Sequence, residues 1–175
     1  MNSFYDLAKN RRSIRKYQAQ AVEQEKIDSI LRTALMSPAS KRTNGWEFVV
    51  VDDKTTLEAM SKCRPAGSQF VANAPMAIVI CADPEKSDVW FEDASIAATF
   101  IQLAAADLGL GSCWVQVYSR MYNDTTTAED YLKPLLNIPS HLHVLNIVTL
   151  GYKDEERQPY NEEKLLYNKI HKNQF

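Results

Sequence analysis

Two near-continuous apolar runs constrain this chain more than any other feature: Met76 to Ala82 (Met-Ala-Ile-Val-Ile-Cys-Ala) and Leu142 to Leu150. Both are strand-length and rich in branched residues. The first is closed off by Pro75 and by Asp83-Pro84. Such runs predict strands buried within a sheet rather than half-solvated ones. Glu47 to Val51 (Glu-Phe-Val-Val-Val) predicts a further buried strand, and Ser112 to Tyr118 another.

Helical periodicity fills the intervals. Ser3 to Asn10 predicts a short helix with Ser3 as N-cap. In Glu23 to Met36, residues Ile27, Ile30, Leu31, Ala34 and Leu35 make one apolar stripe, which Ser37-Pro38 ends. Asp53 opens another helix, where Thr55 and Glu58 have capping-box spacing. Ser68 to Asn73 predicts one or two helical turns. Phe91 to Leu108 predicts the longest helix, and its alanine-rich face suits either the core or a helix-to-helix dimer contact. Thr125 to Leu136 predicts a helix, and the tail predicts an amphipathic one around Glu162 to Lys172, suited to packing on a partner chain. Helices and strands do not follow a regular βαβ rhythm. The fold class expected is therefore α+β, one domain over residues 1–175 with helices covering a central sheet.

Composition narrows the partners. With 22 acidic and 20 basic residues the formal charge is −2, against the basic excess usual in a nucleic-acid binder. No run is long enough to cross a bilayer, and the first residues lack a signal-peptide core, so neither membrane nor nucleic acid is an expected partner. Cys63, Cys81 and Cys113 form no CxxC pair, which predicts reduced thiols and a cytoplasmic protein.

The searches for chemistry are mostly negative. There is no GxGxxG after a first strand, no GxxxxGK[ST] and no GxSxG. Asp52-Asp53 and Glu155-Glu156 are neighbours whose side chains diverge in regular structure, so neither is an acid pair. His141 and His143 share a strand face but lack a third ligand at useful spacing, so no metal site is expected.

What remains is Arg11-Arg12-Ser13-Ile14-Arg15. In an extended segment Arg11, Ser13 and Arg15 point to one side, away from Arg12 and Ile14. Guanidiniums with a hydroxyl suit phosphate oxygens. By these residues alone, a solvated basic turn is the commoner outcome and a phosphate clamp the sharper one. The ten-residue segment Ser37 to Trp46 is longer than an ordinary connection and is a second candidate for binding. Trp114-Val115-Gln116-Val117 follows the glycine break Gly109-Leu110-Gly111, and Lys164 stands in the tail. Together these suit a phosphorylated, planar, partly apolar cofactor that carries the reaction itself.

These motifs, in this order, resemble the nitroreductase family of FMN-dependent oxidoreductases over nearly the whole chain. The matching segments are Arg11-x-Ser13-x-Arg15, Ser37-Pro38-Ala39-Ser40 leading to Trp46, Ala74 to Ile80, Leu108 to Trp114, and Leu150-Gly151-Tyr152. The resemblance implies a nitroreductase-like fold with a mostly antiparallel central sheet, in an interlocked homodimer whose C-terminal tail lies on the partner. It implies FMN held at the phosphate and ribityl chain by Arg11, Arg12, Ser13, Arg15 and Lys164. Pro38, Ala39 and Ser40 would reach the flavin from the other subunit, and Gln69 would meet its pyrimidine edge. Trp114, Val115, Gln116 and Val117 would line the ring, with the Val117 N–H near N5. The chain departs from the family pattern at Arg42-Thr43-Asn44-Gly45-Trp46, where many members read Asn-x-Gln-Pro-Trp, and at Val117 and Leu166.

The implied activity is ping-pong transfer of reducing equivalents from NAD(P)H through flavin N5 to nitroaromatic, quinone or related acceptors, with no side chain as a dedicated catalyst. The alternatives are reductive dehalogenation or flavin breakdown on the same scaffold, and a non-redox phosphate-binding regulatory module.

Overall fold

The two apolar runs become the inner strands of a four-stranded antiparallel sheet, in a computed structural model that describes residues 3–175. In chain order the strands are β1 (Trp46–Val51), β2 (Met76–Ala82), β3 (Gly111–Gln116) and β4 (His143–Gly151). Their spatial order is β1-β2-β4-β3, so β2 and β4 pair on both sides while β1 and β3 are edges. Every residue of β2 is buried, which is why its sequence is apolar without alternation.

Helices cover both faces. On one, Ile78 and Ile80 pack with α2 (Gln24–Leu35) and α4 (Trp90–Asp107). On the other, Ala77 and Val79 pack with α3 (Lys54–Met60) and α5 (Ala128–Leu135). The alanine face of α4 is settled by this packing: Ala94, Ala97, Ala98 and Ala105 are buried within the subunit. The flank that carries Phe91 and Ile96 remains exposed. No helix among the described residues is long and apolar enough to cross a membrane.

Several expectations are corrected. β1 is an edge strand that exposes Glu47 and Val50, because only β2 pairs with it. Asp53, not Thr55, caps α3, its carboxylate accepting from the Thr56 N–H at 2.7 Å. Regular pairing of β3 stops at Gln116, since the Val117 and Tyr118 N–H groups both donate to the Leu145 carbonyl, a bulge-like irregularity. The tail is not an amphipathic helix. It forms two single 3₁₀ turns, Glu162–Lys164 and Tyr167–Lys169. Leu166 and Ile170 are 68% and 75% exposed, and a helix with no apolar face to bury is marginal in water. The first helix, α1 (Phe4–Asn10), carries the expected Ser3 cap, completed by Asp6 as a capping box.

Candidate functional site

α1 ends where Arg11 turns to extended backbone, and the chain then runs along the outer edge of the sheet. The Ile14 N–H donates to the Ser112 carbonyl at 2.9 Å, making a parallel bridge beside the first residues of β3. The Gln18 N–H donates to the Tyr152 carbonyl at 2.9 Å, and the Asp154 N–H to the Lys16 carbonyl at 3.0 Å. The approach is close enough to need glycine below it. A Cβ on Gly111 would lie 2.8 Å from Ile14, and one on Gly151 would lie 2.5 Å from Pro75 and 3.0 Å from Tyr17. Ile14 is the apolar anchor of the segment, buried with Tyr17 and Ala74.

The basic side chains differ in what they meet. Arg11, Ser13 and Arg15 all act on the Cys113 thiol of β3: burial pushes that thiol up, while the Arg15 and Arg11 charges and the Ser13 hydroxyl oppose the rise. Arg11 also lines one open cleft together with Arg12 and Ile14. Arg15 also stands over the Phe70 ring, 5.7 Å from its centroid. Neither Arg11 nor Arg15 has an acidic partner within ion-pair distance among the described residues. Arg12 is engaged by the tail. Its guanidinium donates to the Gln158 carbonyl and lies 4.8 Å from the centroid of the Tyr160 ring. It ties the basic segment to the tail while lining the same cleft as Arg11.

Beyond the Ser13 bridge the edge of β3 is open. The Ser112 carbonyl faces outward to Ile14, and by the two-residue period the N–H and C=O of Trp114 and Gln116 face outward as well. The Arg64 guanidinium confirms this direction, donating to the Gln116 carbonyl at 3.2 Å. The Val117 N–H instead donates inward to the Leu145 carbonyl at 3.0 Å. The outward strand donors past Ser112 are therefore the Trp114 and Gln116 N–H groups, which corrects the expectation placed on Val117. The side chains of Val115 and Val117 are buried in the core, so they offer a ligand no side-chain surface. Trp114 and Gln116 are half-buried and linked: Trp114 Nε1 donates to Gln116 Oε1 at 2.9 Å, and Gln116 Nε2 donates to the Tyr118 carbonyl at 3.0 Å. Gln69 is exposed next to Phe70, but its amide closes its own turn, accepting from the Gly67 N–H at 2.9 Å and donating to the Pro65 carbonyl at 3.1 Å.

The remaining candidates lie elsewhere in the subunit. Pro38, Ala39 and Ser40 sit in the loop that enters β1, the edge strand opposite β3, about 14 Å away at normal strand spacing. Lys164 is exposed in the tail, which is fastened to α1 by the Lys9–Glu162 ion pair at 2.5 Å and by the Tyr160 N–H to the Lys9 carbonyl at 3.0 Å. An open cleft of about 910 Å³ separates α1 and Arg11–Arg12 from residues 153–159. His143 Nδ1 is 2.9 Å from Glu129 Oε1, and its ring stacks on Trp90.

Sequence reasoning missed Arg64, Phe70 and Tyr17. Arg64 lies between α3 and the turn at Gln69–Asn73. Its reach to β3 depends on the fold that brings the two together. The donor set at the β3 edge has two ends. Two guanidiniums and a hydroxyl suit a phosphate ester. An unpaired strand N–H on the residue whose carbonyl Arg64 reaches suits the polar rim of a flat ring.

Comparison with known proteins matches nearly the whole chain. The profile of the Nitroreductase family matches residues 8–64 and 54–152. The structure superposes with a TM-score of 0.97 on an FMN-dependent nitroreductase from Clostridium difficile R20291, at 53% identity over 98% of this chain and 100% of that one. A protein of Archaeoglobus fulgidus, provisionally named an NADH dehydrogenase/NAD(P)H nitroreductase, is 38% identical over 94% of both chains. An iodotyrosine deiodinase of Thermotoga neapolitana is 23% identical over 96% of this chain and 99% of its own.

Proposed function

The chain belongs to the nitroreductase family, and from that premise we propose that residues 1–175 act as one domain of an FMN-dependent NAD(P)H oxidoreductase. Arg11, Ser13 and Arg15 hold the phosphate and ribityl chain, with Lys164 as a further cation. Gln116 N–H would meet the ring at the β3 edge, where Arg64 donates to the Gln116 carbonyl, and Gln69 would serve its pyrimidine edge. Bound there, FMN supplies the redox chemistry, taking reducing equivalents from NAD(P)H at N5 and passing them to a nitroaromatic, quinone or related acceptor in a ping-pong cycle. The chain's own work is positioning and electrostatics: the guanidiniums offset the phosphate and the charge of the reduced ring, and the strand N–H fixes its orientation. The observation that carries this reading is that the Arg11–Arg15 segment, whose Arg11 and Arg15 have no acidic ion-pair partner among the described residues, is bonded through Ile14 to the Ser112 carbonyl at the β3 edge, where that edge then runs on unpaired.

The working form in this reading is a homodimer. Pro38, Ala39 and Ser40 are a sheet-width from Arg15 in one subunit, so they serve the flavin of the other. The exposed Leu166, Tyr167 and Ile170 of the tail, and the apolar groove of about 520 Å³ between α1, α2 and α4, are surfaces for the partner to cover. Three buried cysteines without a disulfide fit a cytoplasmic enzyme.

The purified protein should be yellow and dimeric, and NADH or NADPH should bleach the flavin absorbance in a stopped-flow mixing experiment. A colourless protein that stays colourless after incubation with FMN overturns the reading. The resemblance to iodotyrosine deiodinase gives dehalogenation a specific place as the second reading. An acceptor screen on the reduced enzyme that includes an iodotyrosine beside nitroaromatics and quinones separates the two.

A further inference from the structure

We propose that Asp93 is a positioning residue for the loop that meets the flavin, acting from the first turns of α4 without touching the cofactor itself. The inference rests on the proposed role of Pro38, Ala39 and Ser40.

The loop is held in a conformation it would not choose alone. Lys41, Arg42 and Asn44 have φ of 50°, 57° and 46°, in the left-handed region that side-chain-bearing residues avoid. Three such residues within four positions persist only if both ends of the run are fixed. At the far end, the Gly45 carbonyl accepts from the Asp83 N–H at 2.9 Å, and Gly45 lies so close to the Lys86 Cβ that an added Cβ would come within 3.3 Å of it. At the near end, the Ser40 N–H donates to Asp93 Oδ1 at 2.8 Å. Asp93 Oδ2 accepts from the Ser87 hydroxyl at 2.8 Å, so the carboxylate bridges the loop and the turn that follows β2.

A buried carboxylate needs a reason. Asp93 is 4% exposed and has no cationic partner within ion-pair distance among the described residues. Burial of a charge is costly unless its oxygens are bonded, and here one bond goes to the backbone of a proposed flavin-contacting residue. Alanine at this position leaves the Ser40 N–H without its acceptor and the left-handed run free to relax. Asparagine keeps an acceptor for Ser40 N–H and can donate to the Ser87 hydroxyl.

The test compares wild type, Asp93→Asn, Asp93→Ala and Ser87→Ala, each stripped of flavin and titrated with FMN by fluorescence quenching, with hydrogen–deuterium exchange read over residues 37–45. Asp93→Ala should bind FMN at least tenfold more weakly and exchange faster over 37–45. Asp93→Asn should stay within threefold of wild type on both readouts. Ser87→Ala, which keeps the Ser40 bond, should fall between them and reads the effect if Asp93→Ala does not fold. Wild-type affinity in Asp93→Ala despite faster loop exchange overturns the proposal. So does an Asp93→Asn variant as impaired as the alanine, because the hydrogen bond would then not be what acts. Failure of the wild type itself to bind FMN overturns the functional reading, and the wild-type titration alone shows it.

Discussion

The Tyr17 hydroxyl lies 2.7 Å from Thr149 Oγ1 in the middle of β4 and donates to the Ile14 carbonyl at 2.5 Å. The Thr149 hydroxyl is also 3.3 Å from the Cys113 carbonyl, so one buried network spans the basic segment, β4 and β3. Burial pushes the Tyr17 hydroxyl well above its ordinary range, so it remains a donor at any working pH. The backbone that carries Ser13 and Arg15 is thus held by buried residues of the core.

Tyr17→Phe should therefore destabilise the fold by about 1–3 kcal/mol, the cost of leaving buried acceptors unpaired. It should also loosen FMN several-fold through the segment it releases. Urea denaturation and FMN titration on the same preparations check both. Unchanged stability would mean that the network contributes nothing net.

Arg15→Ala and Arg12→Ala should part company. Arg15 has no acid partner among the described residues, so its loss should cost one charge-assisted phosphate contact, about 1.5–3 kcal/mol or roughly ten- to a hundredfold in FMN affinity. Arg12 is occupied by Gln158 and Tyr160, and its removal should instead speed proteolysis of the tail past residue 157. Equal losses of FMN affinity in the two variants would put Arg12 back in the clamp.

Gly111→Ala should act on the clamp through packing. Its Cβ would meet three Ile14 side-chain atoms at 2.8–3.0 Å, and overpacking of this kind costs about 1–3 kcal/mol. The strain falls on the anchor of the basic segment, so thermal melting and FMN affinity should drop together. A variant that melts normally would show that Ile14 can move aside without cost.

What the sequence made legible follows from what is local. Met76–Ala82 was readable to the residue, because burial on both faces writes itself into seven consecutive side chains. The edge position of β1 was not, since it depends on which strand pairs with which. Arg12 is tied to Gln158 across 146 residues and Arg64 to Gln116 across 52, and no local pattern announces either contact. The choice between Gln116 and Val117 as the outward donor turned on the parity of β3, fixed by the Ser112–Ile14 bond. The helix expected in the tail failed for a related reason: its apolar residues have no surface within the subunit.

Acid should release the basic segment through Glu155. Its Oε1 accepts from the Arg15 N–H at 2.6 Å and the Lys16 N–H at 3.2 Å, and Arg157 Nη2 is 2.7 Å from Oε2. The Arg15 backbone bond, with help from Arg157, holds this carboxyl below its ordinary value. A carboxyl depressed in the folded state stabilises it fully above the unfolded value, about 4.3, and that contribution is lost as pH falls through the folded value beneath it. Glu155→Gln keeps one acceptor but cannot ionise. The stability gap between wild type and Glu155→Gln should therefore be full near pH 6 and should close in acid. Denaturant titrations of both proteins from about pH 6 down to about pH 3 measure it. A gap that stays constant across that range would show that the charge on Glu155 does not hold the segment, leaving the neutral hydrogen bonds to do so.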